Sequence, residues 1–259
     1  MLIDAHTHLD QYRAGLEDAL QEIARHRILS ISTSMDVKGY LKTQAISRGQ
    51  RLILPCFGIH PWYAHRFAHR LDELAPHIRT SPLLGEIGLD FHFIQNQELY
   101  PHQERVLRYF LQAAADQNKI INLHTKGAET RVLELLEEYP VPAQIVHWYS
   151  GPLELIDSWL ERGSYFTVGA AVLRSTHIQK IALRIPLDRL LSETDNPGGW
   201  KSLTKKPGMP SLLLRVIKKI AEIRTIPPER MRRQIEANFL ALAQKSAGLQ
   251  RFTAALWGP

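Results

Sequence analysis

The sequence predicts an α/β fold, a (β/α)8 or TIM barrel. Short β-rich apolar runs alternate eight times with longer stretches of helical periodicity along the 259 residues. That length suits a barrel of this kind, which takes about 250 residues as one unit. A doubly wound sheet would alternate in the same way, but no Gly-rich phosphate loop follows the first strand. We therefore expect a barrel of eight parallel strands.

The strands are indicated by their composition and by the turn residues between them. Residues 28–31 and 52–54 are almost continuously apolar, which is typical of parallel strands buried on both faces. In chain order, the strands are predicted at residues 2–5, 28–33, 52–57, 83–87, 120–124, 144–147, 165–168 and 190–193.

The helices are indicated by apolar residues that recur at helical spacing between the strands. Pro and Gly punctuate the turns rather than cluster, so no segment resembles a linker between domains. We expect a single domain over residues 1–259. Its helices are predicted at residues 16–26, 38–49, 71–79, 98–118, 128–138, 152–162, 175–184 and 210–224, and a last helix at about 228–246 closes the chain.

Composition excludes several classes of protein. Hydrophobic residues make up 44% and charged residues 22%, so the chain is neither disordered nor collagen-like. No apolar run approaches the roughly 18 residues of a membrane span, and no leader-like segment begins the sequence. The single cysteine, Cys56, excludes an internal disulfide and fits a reducing compartment. We expect a cytoplasmic protein with no membrane partner, and a monomer is favoured.

The net charge of +6 is concentrated towards the end of the chain. Residues 201–236 hold ten Lys or Arg and three Glu. A basic stretch can attract nucleic acid or another polyanion, but residues 215–236 are more typical of a solvated helix face. Lys201, Lys205 and Lys206 differ, because they come soon after the polar motif at the end of the eighth strand.

Histidine and carboxylate residues follow several predicted strands at their carboxyl ends, where the side chains of a barrel converge on one mouth. His6 and His8 are two residues apart, so on an extended strand both imidazoles point to the same face. Two imidazoles on one face are a common beginning of a transition-metal site. The other strand ends add Glu86, His124, His147 and Asp195.

Six such groups exceed the three protein ligands that a single catalytic zinc usually has. Two metal ions about 3.5–4 Å apart, bridged by a carboxylate, use six ligands readily. The sequence therefore predicts a centre of two divalent ions. The ligand types suit Zn, Mn, Ni, Fe or Mg and do not identify the metal.

Five motifs in these positions resemble the TatD family of metal-dependent hydrolases, which are barrel members of the amidohydrolase superfamily. The likeness runs from residue 1 to about residue 245, in the order and strand positions of the family. The motifs are His6-Thr7-His8-Leu9-Asp10, Gly58-Ile59-His60-Pro61, Gly85-Glu86-Ile87-Gly88-Leu89-Asp90, His124-Thr125-Lys126 and Glu193-Thr194-Asp195.

The resemblance implies a hydrolase that binds divalent metals and cleaves phosphodiester bonds, as a deoxyribonuclease with 3′→5′ exonuclease activity. DNA or a short oligonucleotide is then the expected substrate. The ligand positions carry over one by one: His6, His8 and Asp195 hold one metal, His124 and His147 hold the other, and Glu86 bridges them.

The chain departs from the family pattern around the pocket. Lys126 stands where the family commonly has Arg, and Trp148 follows the histidine that the family follows with Cys. After Asp195 the family's Ser/Ala-Pro-aromatic sequence is replaced by Asn196-Pro197-Gly198-Gly199-Trp200. The predicted ligands are kept, but the pocket wall differs.

For catalysis we expect Asp195 to orient a metal-activated water and take its proton, with Glu86 as the second catalytic residue. Asp90 is expected to orient one of the metal-binding side chains without binding the metal itself. The predicted contacts to a substrate anion are His60, Lys126, Lys201 and Lys205. The tryptophans Trp62, Trp148 and Trp200 follow strand-end motifs and either stack on bases or simply close the pocket.

Two other functions stay open at this point. An amidohydrolase-like enzyme that cleaves a C–N or C–O bond of a small metabolite, such as a cyclic amide or lactone, would use the same metal centre. A non-catalytic binding protein on a barrel scaffold is disfavoured, because such a protein is expected to have lost ligands and none is lost here.

Overall fold

Eight parallel strands form the barrel that the sequence predicts, and this prediction is confirmed. The structure is a computed structural model that describes residues 1–258; Pro259, the end of the predicted domain, lies outside them. The strands are β1 Leu2–Thr7, β2 Ile28–Thr33, β3 Ile53–Cys56, β4 Leu84–Gly88, β5 Ile121–His124, β6 Gln144–Val146, β7 Tyr165–Val168 and β8 Leu190–Ser192.

Neighbouring strands are hydrogen-bonded in sequence order, and the last strand, β8, also lies next to the first, β1. β1 to β3 form one arc and β4 to β8 another, joined by a parallel bridge between Phe57 and Leu84. Beyond β8, the amide of Asp195 donates to the carbonyl of His6 at 2.9 Å, and the amide of His8 donates to the carbonyl of Asn196 at 2.8 Å. These two bonds tie the last strand to the first.

Helices surround the strands and end close to the predicted positions, with short 3-10 turns before several of them. The carboxylate of Asp36 caps the second helix by accepting from the amide of Gly39 at 2.7 Å. The helices are α1 Leu16–His26, α2 Val37–Ser47, α3 Ala75–Thr80, α4 Tyr100–Asp116, α5 Glu129–Glu138, α6 Ile156–Glu161, α7 Thr176–Arg184, α8 Gly198–Thr204, α9 Leu212–Arg224, α10 Pro228–Ala243 and α11 Ala247–Trp257.

Two helices were not predicted. α8 begins with Gly198 and Gly199, which are poor helix formers, so its sequence gives little sign of a helix. The expectation that one helix over 228–246 closes the chain was wrong. α10 ends at Ala243, Ser246 is extended, and α11 follows it.

The barrel interior is a continuous apolar core. All residues of β1 and β2 are buried, and α4 covers the sheet with a stripe of buried residues that includes Val106, Phe110 and Ala114. Polar side chains are buried mainly at the carboxyl ends of the strands, where the motifs lie. Within residues 1–258, no helix has the length and the apolar character needed to cross a membrane.

Candidate metal centre

Histidine and carboxylate side chains from six strand ends converge at the mouth of the barrel. They belong to residues that are buried or half-buried, and they line a cavity of about 340 Å³ or lie at its base. The residues are His6, His8, His60, Glu86, His124, His147 and Asp195.

Glu86 lies at the middle of this cluster, and its two carboxylate oxygens face different histidines. Its Oε2 is 3.4 Å from Nε2 of both His6 and His8. Its Oε1 is 2.8 Å from Nδ1 of His124 and 3.4 Å from Nε2 of His147. One carboxylate therefore joins two groups of nitrogen atoms.

The first group is formed by His6, His8 and Asp195. The two Nε2 atoms are 3.3 Å apart, and Oδ1 of Asp195 is 3.7 Å from that of His6 and 3.2 Å from that of His8. Ligand atoms about 2.1 Å from one ion in a tetrahedral arrangement lie about 3.4 Å from one another. The spacing of these atoms, together with Glu86 Oε2, fits a divalent ion.

The second group surrounds Oε1 of Glu86 and contains one more histidine than the sequence analysis assigned to it. Nε2 of His60 lies 3.3 Å from this oxygen, as close as His147 does. The donor atoms of His60, Glu86 and His124 lie within 4.8 Å of one another, as do those of His6, Glu86 and His147. His60, which we expected at a substrate anion, thus lies inside the cluster.

Three of the histidines are held by a partner on the ring nitrogen that faces away from Glu86. Nδ1 of His6 is 2.9 Å from the amide oxygen of Asn122, and Nδ1 of His8 is 3.0 Å from the carbonyl of Thr33. Nδ1 of His147 is 3.0 Å from a carboxylate oxygen of Glu193. These contacts direct Nε2 of each ring towards the cluster, as for the histidine ligands of many metal sites.

His124 is oriented differently, because both of its ring nitrogens are engaged. Nδ1 faces Glu86, and Nε2 is 3.0 Å from Oδ2 of Asp90. The same oxygen of Asp90 accepts from the indole N–H of Trp62 at 2.8 Å. Asp90 therefore lies behind a predicted ligand, where the sequence analysis expected it, and links that ligand to an aromatic ring at the cavity rim.

The protonation of the cluster is set by the balance between burial and opposite charge. Burial alone would raise the pKa of Glu86, but His60, His6 and His147 outweigh it and hold that pKa well below its usual range. Burial would lower the pKa of His147, but Glu193 and Glu86 raise it to about 10. Glu86 is thus ionised and His147 is protonated at pH 7, and a divalent cation would replace that proton.

His60 differs from the other histidines in charge. Burial dominates its surroundings and lowers its pKa to about 4, against the opposing effect of Glu86. Its imidazole is therefore neutral at pH 7, with a proton on one ring nitrogen and a lone pair on the other. Its Nδ1 accepts from the amide of Trp62 at 3.2 Å and so caps the 3-10 turn that follows. The proton is then on Nε2, the atom that faces Glu86.

Irregular strand pairing accompanies two of the motifs. The register of β1 against β2 shifts between Asp4 and Thr7, and that of β4 against β5 shifts between Leu84 and Ile87. Such irregularities turn side chains relative to a regular strand, and they occur beside functional sites. His6 and Glu86 lie within these two stretches.

Comparison with known proteins identifies the family. A family model described as TatD related DNase matches residues 3–244. The chain belongs to the TatD DNase family. The resemblance seen in the sequence motifs is thereby confirmed.

Individual relatives of this TatD chain cover most of its length. Human deoxyribonuclease TATDN3 is 26% identical over 263 residues, with 94% of this chain and 95% of the relative covered. The 3′-5′ ssDNA/RNA exonuclease TatD of Citrobacter koseri is 27% identical over 198 residues, which cover 71% of this chain and 75% of the relative. The crystal structure of YJJV, a TatD homologue from Escherichia coli K12, superposes with a TM-score of 0.82. At 22% identity, over 92% of this chain and 95% of that one, it shows the shared fold.

The cavity wall of this TatD chain is both aromatic and polar. Trp62 and Phe93 meet edge to face, with ring centroids 5.9 Å apart, and both are exposed to the cavity. Trp148 lines the cavity too, and the ammonium of Lys126 donates to the hydroxyl of Ser150. Such a wall can contact an apolar ring and an anion at the same time.

The other predicted anion contacts lie outside the cavity lining. Lys201 is exposed on α8, and Lys205 is exposed at the end of that helix. The residues of α8 that line the cavity are Gly198 and Ser202. Trp200 does not line the cavity; Arg174 and Arg215 lie over its ring.

Glu193 and Asn122 were not predicted from the sequence to be functional residues. Glu193 is fully buried, and one of its oxygens faces His147 while the other accepts from the amide of Trp148 at 3.1 Å. A signal was present, because each of them lies two residues before a predicted ligand. A residue at i−2 on a strand shares the face of the ligand.

Proposed function

We propose that this TatD family member is a divalent-metal-dependent phosphodiesterase that removes nucleotides from the 3′ end of DNA or of a short oligonucleotide. The observation that carries the proposal is the position of Glu86, whose carboxylate oxygens face two separate groups of ligand atoms at the base of one cavity. This arrangement suits two ions that share one carboxylate.

The proposed ligands are those expected from the sequence. His6, His8 and Asp195 would hold one ion, His124 and His147 would hold the other, and Glu86 would serve both. Zn, Mn, Mg or Ni would supply Lewis acidity and activate water at neutral pH. Nε2 of His60 would donate to Oε1 of Glu86, 3.3 Å away, and so orient the shared carboxylate.

The chain's own residues would position the reactants. Asp195 holds its Oδ1 at 3.2 Å from Nε2 of His8, and its pKa is lowered: burial raises it, but His8, His147 and His6 outweigh burial. It is therefore ionised and can accept a proton from an attacking water. Lys126 is placed at the cavity wall to attract the phosphate group.

The cavity wall also supports a nucleotide as substrate. Trp62, Phe93 and Trp148 offer apolar ring surfaces, and aromatic side chains that line a nucleic-acid site stack on bases without sequence preference. The names of the relatives, deoxyribonuclease and 3′-5′ ssDNA/RNA exonuclease, support the same substrate class. They favour it over the amide or lactone of a small metabolite.

A substrate panel tests this proposal. The protein is assayed with bis-p-nitrophenyl phosphate, 5′- and 3′-labelled single-stranded DNA, and a set of lactones and cyclic amides, each with Mg²⁺, Mn²⁺ and Zn²⁺. We expect metal-dependent phosphodiester cleavage, with single nucleotides released from the 3′ end. Turnover of a lactone without any phosphodiesterase activity would overturn the proposal in favour of the alternative.

Asp195→Asn tests the proposed base. The variant keeps the size of the side chain and one oxygen, so we expect most of the bound metal to remain while turnover falls at least about a thousandfold. Metal content is measured by mass spectrometry alongside the activity. Glu129→Gln, which changes a carboxylate at the cavity wall, is the control. Activity that survives in Asp195→Asn contradicts the assignment.

We propose a single domain and a reducing, cytoplasmic location, the latter supported by the buried and unpaired Cys56. Burial raises the pKa of that thiol well above its ordinary value, so the thiol is inert.

A further inference from the structure

Two arginines outside the cavity share one tryptophan ring. The guanidinium carbon of Arg215 is 5.1 Å from the centroid of the Trp200 ring, and that of Arg174 is 5.7 Å from it. Trp200 is half-buried, whereas both arginines are exposed. Contact with the ring holds the two long side chains near one place, which lowers the entropy lost when they bind a ligand. We call these three residues the Arg–Trp platform.

The guanidinium groups of the platform are free to bind a ligand. In the described part of the chain, neither one forms an ion pair or a side-chain hydrogen bond. Arg131, in contrast, is paired with Glu104 at 2.7 Å, and its donors are used within the protein. Each free guanidinium presents a planar fork of N–H donors, which matches the oxygens of a phosphate group.

The platform lies on the same side of the barrel as the metal centre. Arg174 follows the carboxyl end of β7, and Trp200 belongs to α8, which follows β8. Arg215 is in the first turns of α9, next along the chain. Gly198 and Ser202 of α8 line the catalytic cavity, so the platform and the cavity are neighbours across one short helix.

We propose that the Arg–Trp platform binds the phosphate backbone of a single nucleic-acid strand beyond the nucleotide that is being cleaved. The inference rests on the proposed nuclease function for its choice of ligand. Lys201 and Lys205 are exposed on α8 and at its end and add positive charge to the helix that carries Trp200. Through these contacts the protein holds long strands more tightly than short ones.

Binding of fluorescein-labelled oligothymidylates of about 4 and about 20 nucleotides tests the inference, since a strand of the first length fills one short site only. Fluorescence anisotropy is measured in EDTA, so that no cleavage occurs. We expect Arg174→Gln/Arg215→Gln to weaken binding of the long strand about tenfold or more. The slope of affinity against salt should fall by about 1.4, because two single-strand phosphate contacts are lost.

Matched variants separate the platform from net charge. Arg184→Gln/Arg189→Gln removes the same charge near the amino end of β8, where Arg189 lies over the ring of Tyr165 in a similar way, and should bind like the wild type. Arg174→Lys/Arg215→Lys keeps the charge without the fork and should be intermediate. Thermal melting confirms that each variant is folded.

Three results would overturn the inference. They are equal binding of the long strand by the double Gln variant and the wild type, equal losses in both Gln double variants, and displacement of the strand by polyglutamate as readily as by unlabelled DNA. The proposed function is tested separately by cleavage. A wild type that cleaves DNA while the platform variant binds normally refutes only this inference, whereas platform-dependent binding without any cleavage refutes only the proposed function.

Discussion

The ring nitrogens that face away from Glu86 decide how the histidines can act. A neutral imidazole offers one lone pair, and the partner of the other nitrogen determines which atom carries it. An amide oxygen, a backbone carbonyl and a carboxylate hold His6, His8 and His147 in turn. Of these, the Glu193 carboxylate has the largest effect on its ring, because it also raises the pKa of His147.

Glu193→Gln tests this role at a single position. The amide can still accept from one neighbour but no longer carries the charge that stabilises His147, so we expect metal affinity to fall about 10- to 100-fold. Metal titration by calorimetry measures the change. Glu154→Gln, at an exposed residue of the turn before α6, should leave the affinity unchanged. Equal affinities in all three proteins would show that Glu193 is not needed for metal binding.

Phe93 and Trp62 should have separable effects on the reaction. Phe93→Ala removes an aromatic ring on which a substrate base could stack. One stacked base is worth about 1–3 kcal/mol, so KM should rise about tenfold with little change in kcat. Trp62→Phe keeps a ring but loses the indole donor to Asp90, so it should lower metal affinity or kcat instead. Steady-state kinetics with an oligonucleotide and metal titration distinguish them. The same change in both variants would contradict this division.

The residues of the centre were predictable where a local pattern was enough. Alternation along one strand predicts the common direction of His6 and His8, and their Nε2 atoms lie 3.3 Å apart. The contact of His6 with Asn122 joins residues 116 positions apart, and no pattern within a short stretch of sequence predicts such a contact. The place of His60 beside Glu86 depends in the same way on how β3 and β4 are packed.

At the scale of elements, one glycine permits the close pairing of β4 and β5. Gly88 has φ +150°, and a Cβ atom there would lie 1.8 Å from the carbonyl oxygen of His124. Only glycine allows this approach, since any side chain would separate the strands that carry Glu86 and His124.

Gly88→Ala should therefore destabilise the protein and disturb the metal centre together. We expect the free energy of unfolding to fall by about 3 kcal/mol or more, from overpacking and backbone strain. Gly49→Ala is the control, because Gly49 also has a positive φ, of 78°, but open space around it, and should cost only about 1 kcal/mol. Urea unfolding measures both. Similar losses in the two variants would contradict the steric explanation.

The strands were predicted better than the helices that follow the eighth strand. Apolar runs are sufficient to mark strands that are buried on both faces. α8 has only seven residues, with a pair of glycines at its start, so it is stabilised by its contacts rather than by its sequence. The predicted end of α10, at about residue 246, is close to its observed end at Ala243, but α11 was missed. Gly248, a poor helix former, lies in the first turn of α11.

For the whole molecule, closure of the barrel predicts a single unfolding transition. β8 is bonded back to β1, so no group of strands is complete without the others. Thermal unfolding followed by far- and near-ultraviolet circular dichroism should give coincident curves. Two separate transitions would contradict the single domain.

Metal binding should raise the stability of the folded barrel against unfolding. An ion at about 100 times its Kd stabilises the folded state by about 2.7 kcal/mol, which corresponds to a rise in Tm of about 5–10 °C for a chain of this size. Unfolding with Zn²⁺ or Mn²⁺ is compared with unfolding in EDTA. His6→Ala/His8→Ala, which removes ligand atoms of one group, should lose a large part of the rise. An unchanged Tm in the wild type would contradict metal binding.

Because Glu86 faces both groups of ligand atoms, the two halves of the centre would not bind metal independently. If two ions bind as proposed, Glu86 would share its negative charge between them, so each would have a weaker ligand than it would have alone. Linkage would then make each ion weaken the binding of the other by the same factor. We expect two affinities that differ, and a protein that, in a cell with little free metal, spends part of its time with a single ion.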